Sequence, residues 1–127
     1  MKRLVLAAML FSVSARAQEA RNVVFPADSR VANVTKAPYN AIPDDDGDDT
    51  LAIQMALTER RNIVYLPKGT YRITKGLQMI SQIYFGVIGE HPDNTIIKWD
   101  GVPGGTLLFC NGARYGRFGR ITWDGSG

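Results

Sequence analysis

One short element returns at a step of 24 residues: Ile73-Thr74-Lys75-Gly76, then Ile97-Lys98-Trp99-Asp100-Gly101, then Ile121-Thr122-Trp123-Asp124-Gly125. A fixed step of this size marks units that cannot bury an apolar face alone and must stack on their neighbours. Between the units the chain offers only short β-branched and apolar runs, at 62–66, 70–73, 77–80, 83–88, 95–99, 106–110 and 120–123. Each is closed by turn formers such as Gly69, Gly76, Gly89, Pro92-Asp93-Asn94, Gly101 and Pro103-Gly104-Gly105, residues that bend a chain for separate physical reasons. A two-sheet sandwich explains many short strands but not the constant step. A solenoid in which each coil is one repeat of about 20–25 residues explains both. The expected fold is therefore all-β, a parallel β-helix of about three coils, with like residues stacked at the inter-strand spacing of about 4.8 Å. The step places Ile73 under Ile97 under Ile121, Trp99 beside Trp123, and Asp100 beside Asp124.

One segment breaks the β pattern. After an extended entry at 33–35 and the turn residues Pro38, Asn40 and Pro43, five carboxylates crowd together as Asp44, Asp45, Asp46, Asp48 and Asp49. A helix over 51–60 follows, with Ala52, Ile53, Ala56 and Leu57 on one side of a 3.6-residue period. Asp48, Asp49 and Thr50 stand where side chains accept the free N–H groups of a first turn, and Arg60 with Arg61 complements the other end of the helix dipole. A helix this short needs a surface to dock on, so it reads as an N-terminal lid on the stack. Capping and turn formation use one or two of the five carboxylates. Solvation or a calcium ion are the alternatives for the rest, although the spacing of an EF-hand loop is absent. No other cofactor is implied.

The chain of 127 residues opens with Lys2-Arg3, the apolar run from Leu4 to Phe11, and Ala15-Arg16-Ala17. This is the pattern of a secretory signal peptide over 1–17, shorter than the roughly 20 apolar residues that span a bilayer. Secretion or a periplasmic location is expected. The domain division is 1–17 signal, 18–32 leader, and 33–127 lid and first coils. The leader carries one apolar island, Val23-Val24-Phe25-Pro26, expected to form an edge strand or to lie along the body. Of the 15 basic residues, Lys2, Arg3 and Arg16 belong to the signal, leaving 12 against 12 acidic ones. The basic pI is a property of a segment that is removed, and it does not support a nucleic-acid partner.

Cys110 is the only cysteine, which excludes an internal disulfide, and its neighbours Leu107, Leu108 and Phe109 suggest a small buried hydrophobe. His91 sits in a loop with no second ligand spaced to share a metal. Arg114, Arg117 and Arg120 are separated by Gly112, Gly116 and Gly119, a spacing that reads as a solvated loop rather than one face of a helix.

The stretch from Asn40-Ala41-Ile42-Pro43-Asp44-Asp45 to Asp48-Asp49-Thr50 resembles the G-A-x-x-D-G-x-x-D-D-T opening of pectate lyase-like proteins, the group of rhamnogalacturonase and epimerase-like domains, and the resemblance implies a right-handed parallel β-helix. Ala52-Ile53-Gln54 is similar to that family's A-A-I-Q. The segment from Ile63-Val64-Tyr65-Leu66 through Pro67-Lys68-Gly69-Thr70-Tyr71 is similar to its V-x-[FL]-P-x-G-x-Y strand. Asn40 stands in place of Gly, a change that Asn's tolerance of the left-handed region accommodates, and Asp45 stands where a second Gly is common. The resemblance implies a lyase or glycoside hydrolase on an acidic polysaccharide such as pectin. Similar openings occur in phage tailspikes, which leaves a non-catalytic glycan-binding or structural module as the alternative. The family's chemistry lies in later coils, so the chain is expected to be an N-terminal fragment, and no catalytic residue carries over.

From the residues alone, the candidate catalytic pair is Asp100 with Asp124, which one coil spacing would set near the about 5 Å of a retaining glycosidase. Asp-Gly is also a plain turn dipeptide, and a repeated turn reproduces it without chemistry. Trp99 and Trp123 offer flat faces for sugar, with packing as the alternative. Arg114, Arg117 and Arg120 offer forked hydrogen bonds to uronate carboxylates.

Overall fold

The computed structural model describes residues 20–126; the expected signal over 1–17 lies outside the described residues. Among these residues nine strands and one helix follow in order: β1 (Val31–Asn33), α1 (Thr50–Thr58), β2 (Ile63–Leu66), β3 (Gly69–Ile73), β4 (Leu77–Ile80), β5 (Gly86–Gly89), β6 (Thr95–Trp99), β7 (Leu108–Asn111), β8 (Arg117–Gly119) and β9 (Thr122–Asp124). They form three sheets, β1-β2-β5-β8, β3-β6-β9 and β4-β7, and every pairing is parallel. From β2 onward the chain visits the first, second and third sheets in rotation. This arrangement of short parallel strands with one helix is compatible with a parallel β-helix. Strand β8 was not expected, because three residues that follow Gly116 and end in Gly119 carry too little apolar pattern to announce it.

The register differs from the 24-residue step. Tyr71 pairs with Ile97 and Ile73 with Trp99; Ile97 pairs with Trp123 and Lys98 with Asp124. The step in this sheet is therefore 26, and the expected columns of Ile73 on Ile97, Trp99 on Trp123 and Asp100 on Asp124 do not form. Ile121 lies before β9 rather than in it. The reason is geometric. Turn lengths set the register, and a motif count does not see them. Because the error is two residues, one full pleat, it leaves every side chain on its expected face: Ile73 and Ile97 both lie fully buried, although not beside each other.

The interior is lined by alternate residues of the three sheets. Tyr71, Ile73, Leu77, Met79 and Ile97 are among its fully buried side chains, while in β4 the intervening Gln78 and Ile80 face out. Cys110, expected to be buried, is exposed. It pairs with inward-facing Met79, but β7 has no strand on its other side among the described residues.

Helix α1 buries Ile53, Ala56 and Leu57, with Ala52 partly covered, as its periodicity predicts. The cap differs in detail. Asp49 occupies the cap position, but its carboxylate makes no bond into the helix; Asp48 accepts from the Thr50 N–H at 3.0 Å, and Thr50 is already helical. The helix ends at Thr58, and Arg60 adopts a left-handed φ of 58°, which carries Arg60 and Arg61 out of the last turn.

The sequence around the helix closes the leading edges of the second and third sheets. Asp44 accepts from Thr70 N–H at 2.9 Å, Asp49 from Arg72 N–H at 3.3 Å, and the Thr50 hydroxyl from Thr74 N–H at 2.9 Å. The Gln54 amide both accepts from Gln78 N–H at 2.8 Å and donates to Gln78 C=O at 3.0 Å. These side chains replace the strand that would otherwise lie alongside β3 and β4, so edge donors that would be costly to leave unpaired are satisfied.

A pair of double cysteine variants tests the register. In a Cys110→Ser background, Arg72→Cys with Lys98→Cys joins outward-facing Cα partners at a separation that suits a disulfide, whereas Arg72→Cys with Ile96→Cys, the 24-residue pairing, lies diagonally across the ladder, beyond the roughly 7 Å limit. Mild oxidation should crosslink the first pair within one chain and leave the second largely reduced; the reverse preference would refute the 26-residue register.

Candidate functional site

The outward row of the second sheet gathers the polar groups with the most chemistry. Parity turns Arg72, Lys98 and Asp124 outward, and the register sets them side by side across β3, β6 and β9. Just past the end of β6, Asp100 places Oδ2 at 2.5 Å from Arg72 Nε. The bond to Asp100 is the main reason the Arg72 guanidinium is held above its ordinary pKa. Asp124 is thus the register partner of Lys98 and Asp100 is bonded to Arg72, so the one-coil stacking of the two carboxylates expected of a retaining pair does not form. Neither Arg72 nor Lys98 stood out in the sequence, because their roles depend on which residues turn outward and on the 26-residue register.

The tryptophans divide. Trp99 is only 9 % exposed; it donates its indole N–H to Val102 C=O at 3.1 Å and packs under its own loop, where Gly101 and Gly105 leave room for the ring. It presents no open face. Trp123 is half-buried, edge-on to Phe118 at 6.2 Å. Arg114 and Arg117 are exposed, Arg117 on β8 and Arg114 in the turn before it. Arg120 is partly buried and committed to the leader, donating to the carbonyls of Arg21 and Glu90, with Nε buried and unpartnered.

The leader lies along the body, as its apolar island suggested. Val23 N–H donates to Glu90 C=O at 2.9 Å, the Tyr65 hydroxyl donates to Val23 C=O at 2.7 Å, and Phe25 stands edge-on to Tyr65 at 5.1 Å. The carboxylates of the acidic turn accept from the chain itself: Asp44 and Asp49 as above, and Asp45 from Gly47 N–H at 3.0 Å. Asp48 accepts from both Thr50 and Thr74. No group of three or more His, Cys, Asp or Glu side chains is placed to hold a metal ion among the described residues. No described helix is long and apolar enough to cross a membrane.

Compared with known proteins, residues 31–122 match the family model described as Rhamnogalacturonase A/epimerase, pectate lyase-like. No curated protein and no solved structure matches the chain.

Proposed function

The chain belongs to the rhamnogalacturonase A/epimerase, pectate lyase-like family, and from that premise we propose that it is an exported, polysaccharide-active protein whose ligand is an acidic polysaccharide such as pectin. The family match carries this reading. It is joined to a fold in which the described strands are the faces of a right-handed parallel β-helix of about three coils, with α1 and the acidic turn as its cap and 1–17 as the export signal. The rotation of the chain through three sheets supports the coils, and the bonds from Asp44, Asp49, Thr50 and Gln54 to strand-edge N–H groups support the cap.

Of the two ways to act on such a polymer, cutting it or holding it, the placement of the charged groups favours holding within these coils. Exposed Lys98, Arg114 and Arg117 are cations available to uronate carboxylates, while Asp100 is engaged by Arg72. The full chain should bind polygalacturonate and rhamnogalacturonan, weaken as salt screens the charges, and ignore an uncharged galactan. Calorimetric titration measures this, and incubation with each polymer, followed by assay of unsaturated products and new reducing ends, reads cleavage. Cleavage would replace holding with catalysis; neither binding nor cleavage of either acidic polymer would overturn the assignment.

A further inference from the structure

We propose that Tyr84 and Tyr115 form a stacking platform for a sugar ring, with Arg114 and Arg117 placed to receive the carboxylates of a uronic acid chain; this rests on the reading that the ligand is an acidic polysaccharide. Two turns lead from the third sheet to the first, 81–85 and 112–116, and they have the same length. They run side by side, with Arg114 N–H donating to Gln82 C=O at 2.8 Å and Tyr84 N–H to Arg114 C=O at 3.2 Å, and Ile83 bridged to Arg114. Each turn sets a tyrosine at its fourth position. The rings stack with centroids 5.2 Å apart and planes 12° from parallel.

Two observations separate this pair from ordinary packing. Both tyrosines hold a left-handed φ, 55° at Tyr84 and 54° at Tyr115, a conformation that strains a bulky residue and clusters at functional sites. Burial does not offset that strain, since Tyr84 is 66 % and Tyr115 73 % exposed. The next residue shows what the interior receives instead: Phe85 is buried, its ring seated where Gly116 has no side chain and edge-on to Phe118 at 5.5 Å. One aromatic of the first turn goes inward, and the tyrosines of both turns are held outside, stacked on each other.

The surrounding charge identifies the ligand class. Arg114 and Arg117 are exposed, Arg60 reaches the same corner through Ile80 C=O at 3.5 Å, and no carboxylate occurs in 80–89 or 109–119. A flat, polarisable face beside guanidinium groups that form no ion pair among the described residues suits a ring that is apolar on one side and carries a carboxylate at its edge.

Asparagine accepts the left-handed backbone, so Tyr84→Asn and Tyr115→Asn remove the ring without adding strain. Titrated with galacturonate oligomers, each variant of the full chain should lose about tenfold or more in affinity with no fall in Tm, and Arg114→Gln should weaken the same interaction. Unchanged affinity with a lowered Tm would make the stack a structural rung and overturn the platform. A wild-type dimer that Tyr115→Asn converts to monomer would identify a second copy as the occupant and overturn it as well. A wild-type chain that binds no acidic oligomer or polymer would remove the proposed function together with the platform, whereas binding retained in the variants removes the platform alone.

Discussion

Tyr71→Ala should lower the unfolding free energy by about 3–5 kcal/mol, the usual cost of deleting a buried aromatic ring. Tyr71 is fully buried, lies in register with Ile97, which in turn pairs with Trp123, and donates its hydroxyl proton to Pro67 C=O at 2.7 Å. Alanine would leave a cavity shared by neighbouring strands and an orphaned carbonyl. Against a total stability of about 5–15 kcal/mol for an ordinary domain, that loss removes about a fifth or more. Tyr71→Phe separates the two contributions: the ring stays, one hydrogen bond goes, and the cost should be about 1–2 kcal/mol. Urea unfolding followed by circular dichroism checks both, read as a falling midpoint at constant slope. A loss below about 1 kcal/mol for Tyr71→Ala would mean that the ring is not enclosed by packed neighbours, which is incompatible with three sheets around one interior.

Much of this interior was legible from local pattern. The alternation in Thr70-Tyr71-Arg72-Ile73 already assigns inward and outward faces, and the helical period of Ile53, Ala56 and Leu57 already gives the docking face. The left-handed backbone expected at Asn40 is found, with φ 57°. What local pattern does not contain is the alignment of one strand with the next. The motif linking Ile73 to Ile97 is real as a repeat of inward isoleucines, but the chain between them fixes the offset. Three residues, 74–76, join β3 to β4, while eight, 100–107, join β6 to β7. The register therefore widens from 26 in the second sheet to 31 in the third, where Leu77 meets Leu108.

The candidate site was harder to read for the same reason. Asp100 and Asp124 drew attention as equal letters at an equal step, yet a two-residue difference in alignment exchanges one carboxylate for Lys98. The stacked tyrosines recur at a step of 31, a period visible only once the length of the 100–107 loop is known. The acidic turn was recognisable as a motif but not as an edge seal, because its partners Thr70 and Arg72 lie more than twenty residues away in sequence.

Asp49→Ala should be the most damaging change in the acidic turn, costing about 2–5 kcal/mol near neutral pH by leaving two N–H groups without an acceptor. Asp49 is 5 % exposed; its carboxylate accepts from Ile42 N–H at 3.1 Å and Arg72 N–H at 3.3 Å, joining the turn to β3. Burial pushes this carboxyl above its ordinary 3.8, against the pull of the two N–H groups and with help from the charges of Asp45 and Asp48. A raised pKa in the fold means that the group's titration-linked contribution is fully present below the unfolded value and declines as pH rises through the folded one. The cost of Asp49→Ala should therefore grow as pH is lowered toward 3.8. Asp48 behaves in the opposite sense: burial opposes its ionised form, but hydrogen bonds from Thr50 and Thr74 and the charge of Arg72 outweigh it and lower its pKa. Asp48 is also exposed, so Asp48→Ala should cost less than Asp49→Ala at neutral pH, and that cost should fade as pH drops below 3.8. Urea unfolding of both variants at neutral and acid pH would show the two lines diverging. Parallel lines would mean that Asp49 is solvated like its neighbour, and the D-D-T motif would then be a surface turn instead of the seal on the first exposed edge of the parallel sheets.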